Sequence, residues 1–393
     1  MTSENRFFYS LCIAGSLAIL SSTMSKNPVL PLLATSLGAE GAVLGLIASS
    51  STIPGILVSL PAGSLSDLIG KKKVMWAAAF VFTTAPFLYL FITSPVQLML
   101  VRFYHGFATA IFGPVANSAI VDKFPKNKAE RLSLFSSFTI VGRSIAPFLG
   151  GSILILTSGF HEVYWVVGAF GLSALIAIQV VFRREGTAPS PSTRNRESAF
   201  SQIRGILGKR LIVIASSVEA TQYLTYGAFE FFLISYAKDV GLDLTSITLI
   251  SGCQLLSVLI SKPVMGGLSD RYGRTKIILT GLVAGGASLL LVPLTGSFWV
   301  ILALAIMYGL GFSTVTSSTT ALVSDLATKS GSGSTMGFLS TIMDVGQATG
   351  PIVTGLIIGT ALRYFGAFWF LGLSLIVVAL IFAWSFSLHS KDG

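Results

Sequence analysis

Twelve apolar stretches follow one another along the 393 residues, most of them separated by a short polar turn. Each is long enough for a helix of roughly 20 residues, the length that crosses a hydrocarbon layer. They fall near 7–35, 41–65, 74–93, 96–121, 132–157, 163–182, 211–237, 246–268, 277–294, 298–324, 335–359 and 365–387. The pattern lapses once, from Arg183 to Arg210, where the chain is basic and polar, carries Pro189 and Pro191, and shows no apolar period. The expected domains are therefore a six-helix bundle over 1–182, a cytoplasmic linker over 183–210 and a second six-helix bundle over 211–393. The first stretch follows Arg6 as a secretory leader would, yet it runs on through Pro28 and Pro31 without a convincing cleavage site, so it reads as the first membrane helix.

Composition agrees with the pattern: 52% of residues are hydrophobic and 11% are charged, against about 25% charged in average chains. A soluble globule is excluded, and the expected class is an all-α polytopic membrane protein of the cell membrane, surrounded by lipid and monomeric. Lys and Arg set the orientation. With both termini in the cytoplasm, 20 of the 26 basic residues lie on the inner side, and only Lys238 and Arg363 fall in outer loops. The net charge of +10 is thus a topology signal with attraction to anionic headgroups, and nucleic-acid binding need not be invoked.

Covalent chemistry has no support in the sequence. There is no Ser/His/Asp set, no metal-ligand spacing among the three histidines and two cysteines, and no phosphate-binding loop, so an enzyme and an ATP-driven pump are both disfavoured. Charge within the apolar stretches is the informative feature, because it is costly in hydrocarbon and normally faces a bundle interior or a wet cavity. The first half has Lys26, Arg102 and Arg143 with no acid. The second has Glu219, Glu230, Lys262 and Asp344.

The seventh stretch aligns Glu219, Gln222, Tyr223, Tyr226 and Glu230 within about 60° of one line, with the two acids about 16 Å apart along the helix. Tyrosines between acids offer stacking, cation–π contact and hydrogen bonds to an amphipathic ligand. The competing reading is that the acids pair with the cations and hold the halves together. Lys262 and Asp344 are a further possible pair. In the fourth stretch Arg102, His105, Gly106, Thr109, Gly113 and Asn117 share a face too polar for lipid and expected to line a cavity; packing or hydrogen bonding is the favoured role for His105. Lys26, Asn27, Pro28 and Pro31 mark an irregular segment, since proline frees carbonyls that need another partner. The tenth stretch is rich in hydroxyls from Ser313 to Thr320, some of which must face a cavity or bond back to the backbone.

The two halves repeat in detail. Gly63-Ser64-Leu65-Ser66-Asp67-Leu68-Ile69-Gly70-Lys71 returns as Gly266-Gly267-Leu268-Ser269-Asp270-Arg271-Tyr272-Gly273-Arg274. Asp122 and Asp325 are offset by 203 positions, Pro147 and Pro351 by 204. The repeated loop resembles the signature that joins the second and third, and again the eighth and ninth, helices of the major facilitator superfamily; the first copy departs from it at Leu68 and Lys71. A second element, Gly142 to Gly151 with Pro147, Gly150 and Gly151, resembles the fifth-helix motif of proton-coupled drug antiporters, with Ala146 replacing a glycine. Gly346, Gly350 and Pro351 echo it in the eleventh stretch, so part of it belongs to the scaffold. Arg102 to Gly106 resembles the Arg-x-x-x-Gly element of the same family.

What the resemblance implies is a twelve-helix carrier of two six-helix pseudo-repeats, alternating between inward- and outward-open states, without a cofactor and driven by a proton gradient, with sodium as the other candidate ion. Its substrate would be a small amphipathic molecule. Glu219, Glu230 and Asp344 would exchange protons, with Arg102 and Arg143 tuning them; Lys26, Asn27, His105, Asn117, Gln222, Tyr223 and Tyr226 would line the substrate path. In the family the first-copy acid, here Asp67, docks near the start of the eleventh helix around Ser334 and favours the outward-open state. Gly63, Gly70, Lys71, Asp270, Arg271, Gly273 and Arg274 complete this expected gate, in which the second copy is expected to brace its own half only. Several drug exporters of the family carry an acid in the first helix where this chain has Lys26, so two alternatives stand: a carrier of anionic solutes held by Lys26, Arg102 and Arg143, and a transport-inactive sensor on the same fold.

Overall fold

A computed structural model of the chain describes residues 3–182, 208–326 and 332–389, though not the side chains of residues 3, 59–61, 63–65, 67, 68, 129, 332–334 and 387–389. Most of the linker read from the sequence lies outside the described residues. So do the side chains of Gly63 and Asp67, and with them the docking of Asp67 near Ser334.

Among the described residues the chain forms fourteen α-helices. The first span is two of them, α1 (Ser3–Met24) and α2 (Val29–Ser36). The second is also two, α3 (Gly41–Ser50) and α4 (Ile53–Ile69). One helix for each remaining span follows: α5 (Lys71–Leu88), α6 (Pro95–Lys123), α7 (Lys128–Thr157), α8 (Phe160–Phe182), α9 (Arg210–Asp239), α10 (Leu244–Tyr272), α11 (Arg274–Leu291), α12 (Phe298–Leu326), α13 (Ser332–Ile358) and α14 (Arg363–His389). Eleven stretches, Glu4–Ser36 and Gly41–Val58 among them, are long and apolar enough to cross a membrane. The twelfth, α9, is 30 residues long, about 45 Å at 1.5 Å per residue. Glu219, Gln222 and Glu230 dilute its apolar residues.

Both broken spans have a proline cause. Pro28 lacks the N–H that would continue the ladder to the carbonyl of Met24, and in the same break the carbonyl of Ser25 accepts from the Tyr164 hydroxyl at 3.4 Å. Pro54 likewise cannot donate to Ser50, and Gly55 N–H turns to the carbonyl of Thr52 at 2.9 Å.

Chain contacts divide the molecule into two compact units, Met1–Ala39 with Ser50–Thr193, and Glu40–Ser49 with Arg194–Gly393. Within the first, α1 packs on α7 and α8, α5 on α6 and α8, and α4 on α6. Within the second, α9 packs on α13 and α14, α11 on α12 and α14, and α10 on α12. The pairing is the same, span for span. An apolar core in the first unit gathers Phe8, Met75, Phe82, Phe112 and Ala116, all essentially without solvent exposure.

Small residues carry the closest helix contacts, as interfaces without a hydrophobic driving force require. A Cβ on Gly142 of α7 would stand 2.5 Å from the carbonyl oxygen of Ser16, and one on Gly346 of α13 would stand 2.2 Å from that of Ala220. Gly150 lies against Met24, and Gly350 against the carbonyl of Leu224. The repeated loop also has one backbone: Gly70 and Gly273 take φ of 96° and 94°, which costs a glycine little and other residues much.

Candidate functional site

Each unit holds one buried polar cluster. In the second, α9 presents Glu219 without solvent exposure. Thr320 of α12 donates its hydroxyl to Oε1 at 3.4 Å, while Oε2 is buried without a hydrogen-bond donor. Lys262 of α10 acts on Glu219 electrostatically. Asp344 stands half-buried on α13. One turn along α9, Gln222 is buried with neither amide atom hydrogen-bonded. Buried polar atoms without partners are rare in folded proteins, and α9 and α12 carry further ones at Ser216, Ser313 and Thr319.

Beyond Gln222 the cluster becomes aromatic. Tyr226 stacks on Phe312 at 4.2 Å between ring centroids, Tyr223 meets Phe312 edge-on at 5.4 Å, and the two tyrosines are 6.3 Å apart. The Tyr226 hydroxyl donates to Glu230 Oε1 at 3.3 Å. Tyr308 extends the group, 4.2 Å from Phe229 and bonded through its hydroxyl to Thr225 at 2.9 Å. Phe312, Tyr308 and Thr320 are the residues that sequence reasoning missed as members of this site. The unbroken α9 keeps both acids and both tyrosines on one helix, as their spacing implied.

In the first unit the cluster surrounds Arg102 of α6, which is 3% exposed. Its Nη2 donates to the Ser51 hydroxyl at 2.6 Å and its Nη1 to the Tyr89 hydroxyl at 3.4 Å; Nε is buried without an acceptor. Tyr89 also lies 3.3 Å from His105 Nδ1 and stacks on Tyr164 at 4.3 Å. His105 is buried as well. The residues of the polar face read on the fourth stretch differ in burial. Arg102, His105 and Gly106 are packed inside the unit, Asn117 is exposed, and a Cβ on Gly113 would meet open space.

The three cations of the first half differ in burial. Arg143 is exposed on α7, Lys26 is half-buried in the break between α1 and α2, and Asn27 beside it is buried. In the repeated loops, Lys71 pairs with Asp122 and reaches the carbonyl of Ser118 at 3.4 Å. Arg274 meets Asp270 at 2.5 Å and Asp325 at 2.9 Å. Arg271 instead lies over the ring of Tyr272, 5.5 Å from its centroid. No group of three or more His, Cys, Asp or Glu capable of holding a metal ion occurs among the described residues.

The sequence profile of the Major Facilitator Superfamily matches residues 11–226 and again 216–392. Among curated relatives, a multi-drug resistance efflux pump PmrA homolog of Lactococcus lactis is 27% identical over 91% of this chain and 89% of its own length. The quinolone resistance protein NorA of Staphylococcus aureus is 24% identical over 84% of each chain, and an uncharacterised MFS-type transporter of Methanocaldococcus jannaschii is 25% identical over 86% and 88%. The solved nucleoside transporter NupG superposes with a TM-score of 0.77 at 16% identity, covering 98% of this chain and 99% of that one. A profile that matches the two halves in turn, and relatives that run nearly end to end with the chain, make it a member of the Major Facilitator Superfamily, a multi-pass membrane transporter and not an enzyme.

Proposed function

We propose that the chain exports small amphipathic, drug-like molecules in exchange for protons, alternating between states open to either side, with both termini in the cytoplasm. Glu219 carries this reading: a carboxyl without solvent exposure, held at one oxygen by Thr320 and unbonded at the other, beside a group of aromatic rings. A buried carboxyl can be neutral or charged at small cost only if its surroundings change during the cycle. Binding of an organic molecule against Tyr223, Tyr226 and Phe312 is such a change. The rings offer apolar area and π faces; Glu219 and Glu230 offer charge for a cationic group.

Two curated relatives bear names that refer to drug resistance, which supports the same class of substrate. Asp344 is the third proposed proton carrier, on α13.

The test is substrate-driven proton flux in proteoliposomes. Glu219→Gln is expected to abolish flux, by at least about a hundredfold if the charged form is obligatory, while substrate binding measured by fluorescence quenching persists. Undiminished coupling in both Glu219→Gln and Glu230→Gln would reject the assignment.

A further inference from the structure

The Arg102 cluster of the first unit has more hydrogen-bond donors than acceptors, and the imbalance can be followed atom by atom. The Ser51 hydroxyl oxygen accepts from Nη2 at 2.6 Å and the Tyr89 hydroxyl oxygen from Nη1 at 3.4 Å. Tyr89 has one proton left to give, and His105 Nδ1 is 3.3 Å away. That bond makes Nδ1 the acceptor and puts the ring's own proton on Nε2. Tyr164, stacked on Tyr89, is spent on the carbonyl of Ser25. Three groups are left over, and all of them are donors: Arg102 Nε–H and His105 Nε2–H, both buried without a partner, and the Ser51 O–H, whose bond to Arg102 uses only its oxygen.

Charge points the same way. Arg102 is 3% and His105 2% exposed, and among the described residues Arg102 bonds to neutral partners only. The acids described in this unit, Glu4, Asp122, Glu130 and Glu162, all stand in the first or last turn of a helix. A cation buried without a counter-charge is expensive, and the scaffold does not demand it, because the repeated position in α12 is Ala305. Packing restricts what could supply the missing charge. A Cβ on residue 106 would stand 2.3 Å from the carbonyl oxygen of Ser51, the Tyr89 and Tyr164 rings are 4.3 Å apart, and Phe82 meets His105 edge-on at 6.3 Å. Three donors and one positive charge in such surroundings suit an anion of a single atom and a single charge; a phosphate or a carboxylate is larger and calls for more donors.

We propose that the Arg102 cluster is a halide site, at which a chloride ion accepts from Arg102 Nε–H, His105 Nε2–H and the Ser51 hydroxyl and serves as the resident counter-ion of the first unit. The ion is a structural partner and not cargo, which separates it from the anionic solutes of a carrier. The cluster joins Ser51, in the break of the second span, to Ser25, in the break of the first, through Arg102, Tyr89 and Tyr164. Neutralising the cation therefore steadies both breaks. The proposal needs neither export nor proton coupling.

The purified full chain in detergent, moved from sodium gluconate to sodium chloride at constant ionic strength, should gain melting temperature as a ligand that binds only the folded state requires. Bromide should replace chloride, and its anomalous scattering in crystals should peak beside Arg102. Ser51→Ala and His105→Leu each keep the cation and remove one donor, so each should raise the half-saturating chloride concentration about tenfold, the scale of one hydrogen bond to a charged group. His105→Gln, which keeps an N–H, should recover most of the affinity. Arg102→Leu should abolish the response; if that variant does not fold, the Ser51 and His105 variants decide.

Equal melting in gluconate and chloride would overturn the proposal. So would a chloride response of the same half-saturation in Ser51→Ala and His105→Leu, which is a general salt effect, and so would bromide found beside Arg102 only at molar concentration, an adventitious ion only. Chloride flux in proteoliposomes that Arg102→Leu removes would make the ion cargo and refute its resident role. Proton-coupled export by a protein indifferent to halide would leave the exporter reading standing without this one; halide binding that depends on Ser51 and His105 in a protein that moves no proton would do the reverse.

Discussion

Span for span the two units pack alike, and yet their buried chemistry sits in different places. Gly142 meets the carbonyl of Ser16, and 204 positions later Gly346 meets that of Ala220; Gly106 meets the carbonyl of Ser51, and 203 positions later Gly309 meets that of Gln254. On this shared frame Arg102 corresponds to Ala305, Tyr89 to Val292 and His105 to Tyr308. In the other direction, Glu219 corresponds to Gly15, Thr320 to Asn117, and Tyr223 and Tyr226 to Ile19 and Ser22. Among the charges within the apolar stretches only one pair of positions coincides, Lys26 with Glu230, and their signs are opposite. The first unit thus spends its buried charge on the break in the second span, the second on a carboxyl beside aromatic rings. Helix packing was kept after duplication while the polar groups diverged, and this division of labour is what the residues of each unit should report when exchanged.

Moving the cation to its counterpart position should have the largest effect. Ala305 is fully buried, and Ala305→Arg places an unpaired charge among apolar groups at a cost of about 3–5 kcal/mol; little folded protein should survive size-exclusion chromatography in detergent. Arg102→Leu, which removes the native cation but leaves Ser51 and Tyr89 short of a donor, should cost less, about 1–3 kcal/mol. If the two variants were equally stable, the positions would be equivalent and the asymmetry would carry no function.

The packing glycines test the other side of the comparison. Gly142→Ala and Gly346→Ala each force a methyl against a carbonyl, at 2.5 and 2.2 Å, so both should destabilise by about 1–3 kcal/mol. The fall in melting temperature should be similar for the two. A tolerant Gly142 beside an intolerant Gly346 would show that only the second unit depends on this seam.

How much of this was legible in the sequence differs between scaffold and site. Apolar length marked twelve spans, and the loop and proline repeats marked the duplication, because both follow from local rules that do not depend on which helices meet. Pro28 and Pro31 announced the break in the first span. The break in the second was not foreseen, although Pro54 stands two residues after it, since the apolar run continues on both sides. Helical phase placed Glu219, Tyr223 and Tyr226 together, being a property of one helix. Phase could not supply Phe312, an apolar residue in an apolar run, nor Ser51 and Tyr89 as partners of Arg102, because those contacts join different helices. Phase likewise gave no sign that, on the one helix that carries both, Arg102 is packed inside the unit while Asn117 is exposed.

The smallest expected effects belong to the repeated loops, where the comparison is finest. Arg274 is shared between Asp270 and Asp325, with Arg274 about a quarter exposed and Asp325 more than half. Water therefore screens the pair, and Arg274→Gln should cost only about 0.2–1 kcal/mol, the usual range of exposed ion pairs. Lys71, paired with Asp122 in the first copy, should cost no more. At 1 M salt, where the screening length falls to about 3 Å, both costs should shrink further. Stability will thus not distinguish the copies, but conformation can. If the first copy gates and the second only braces its unit, Lys71→Gln will change cysteine accessibility of the substrate path and Arg274→Gln will leave it alone. Equal changes in accessibility would make both copies gates, and no change in either would reduce the repeated loop to a turn that sets topology.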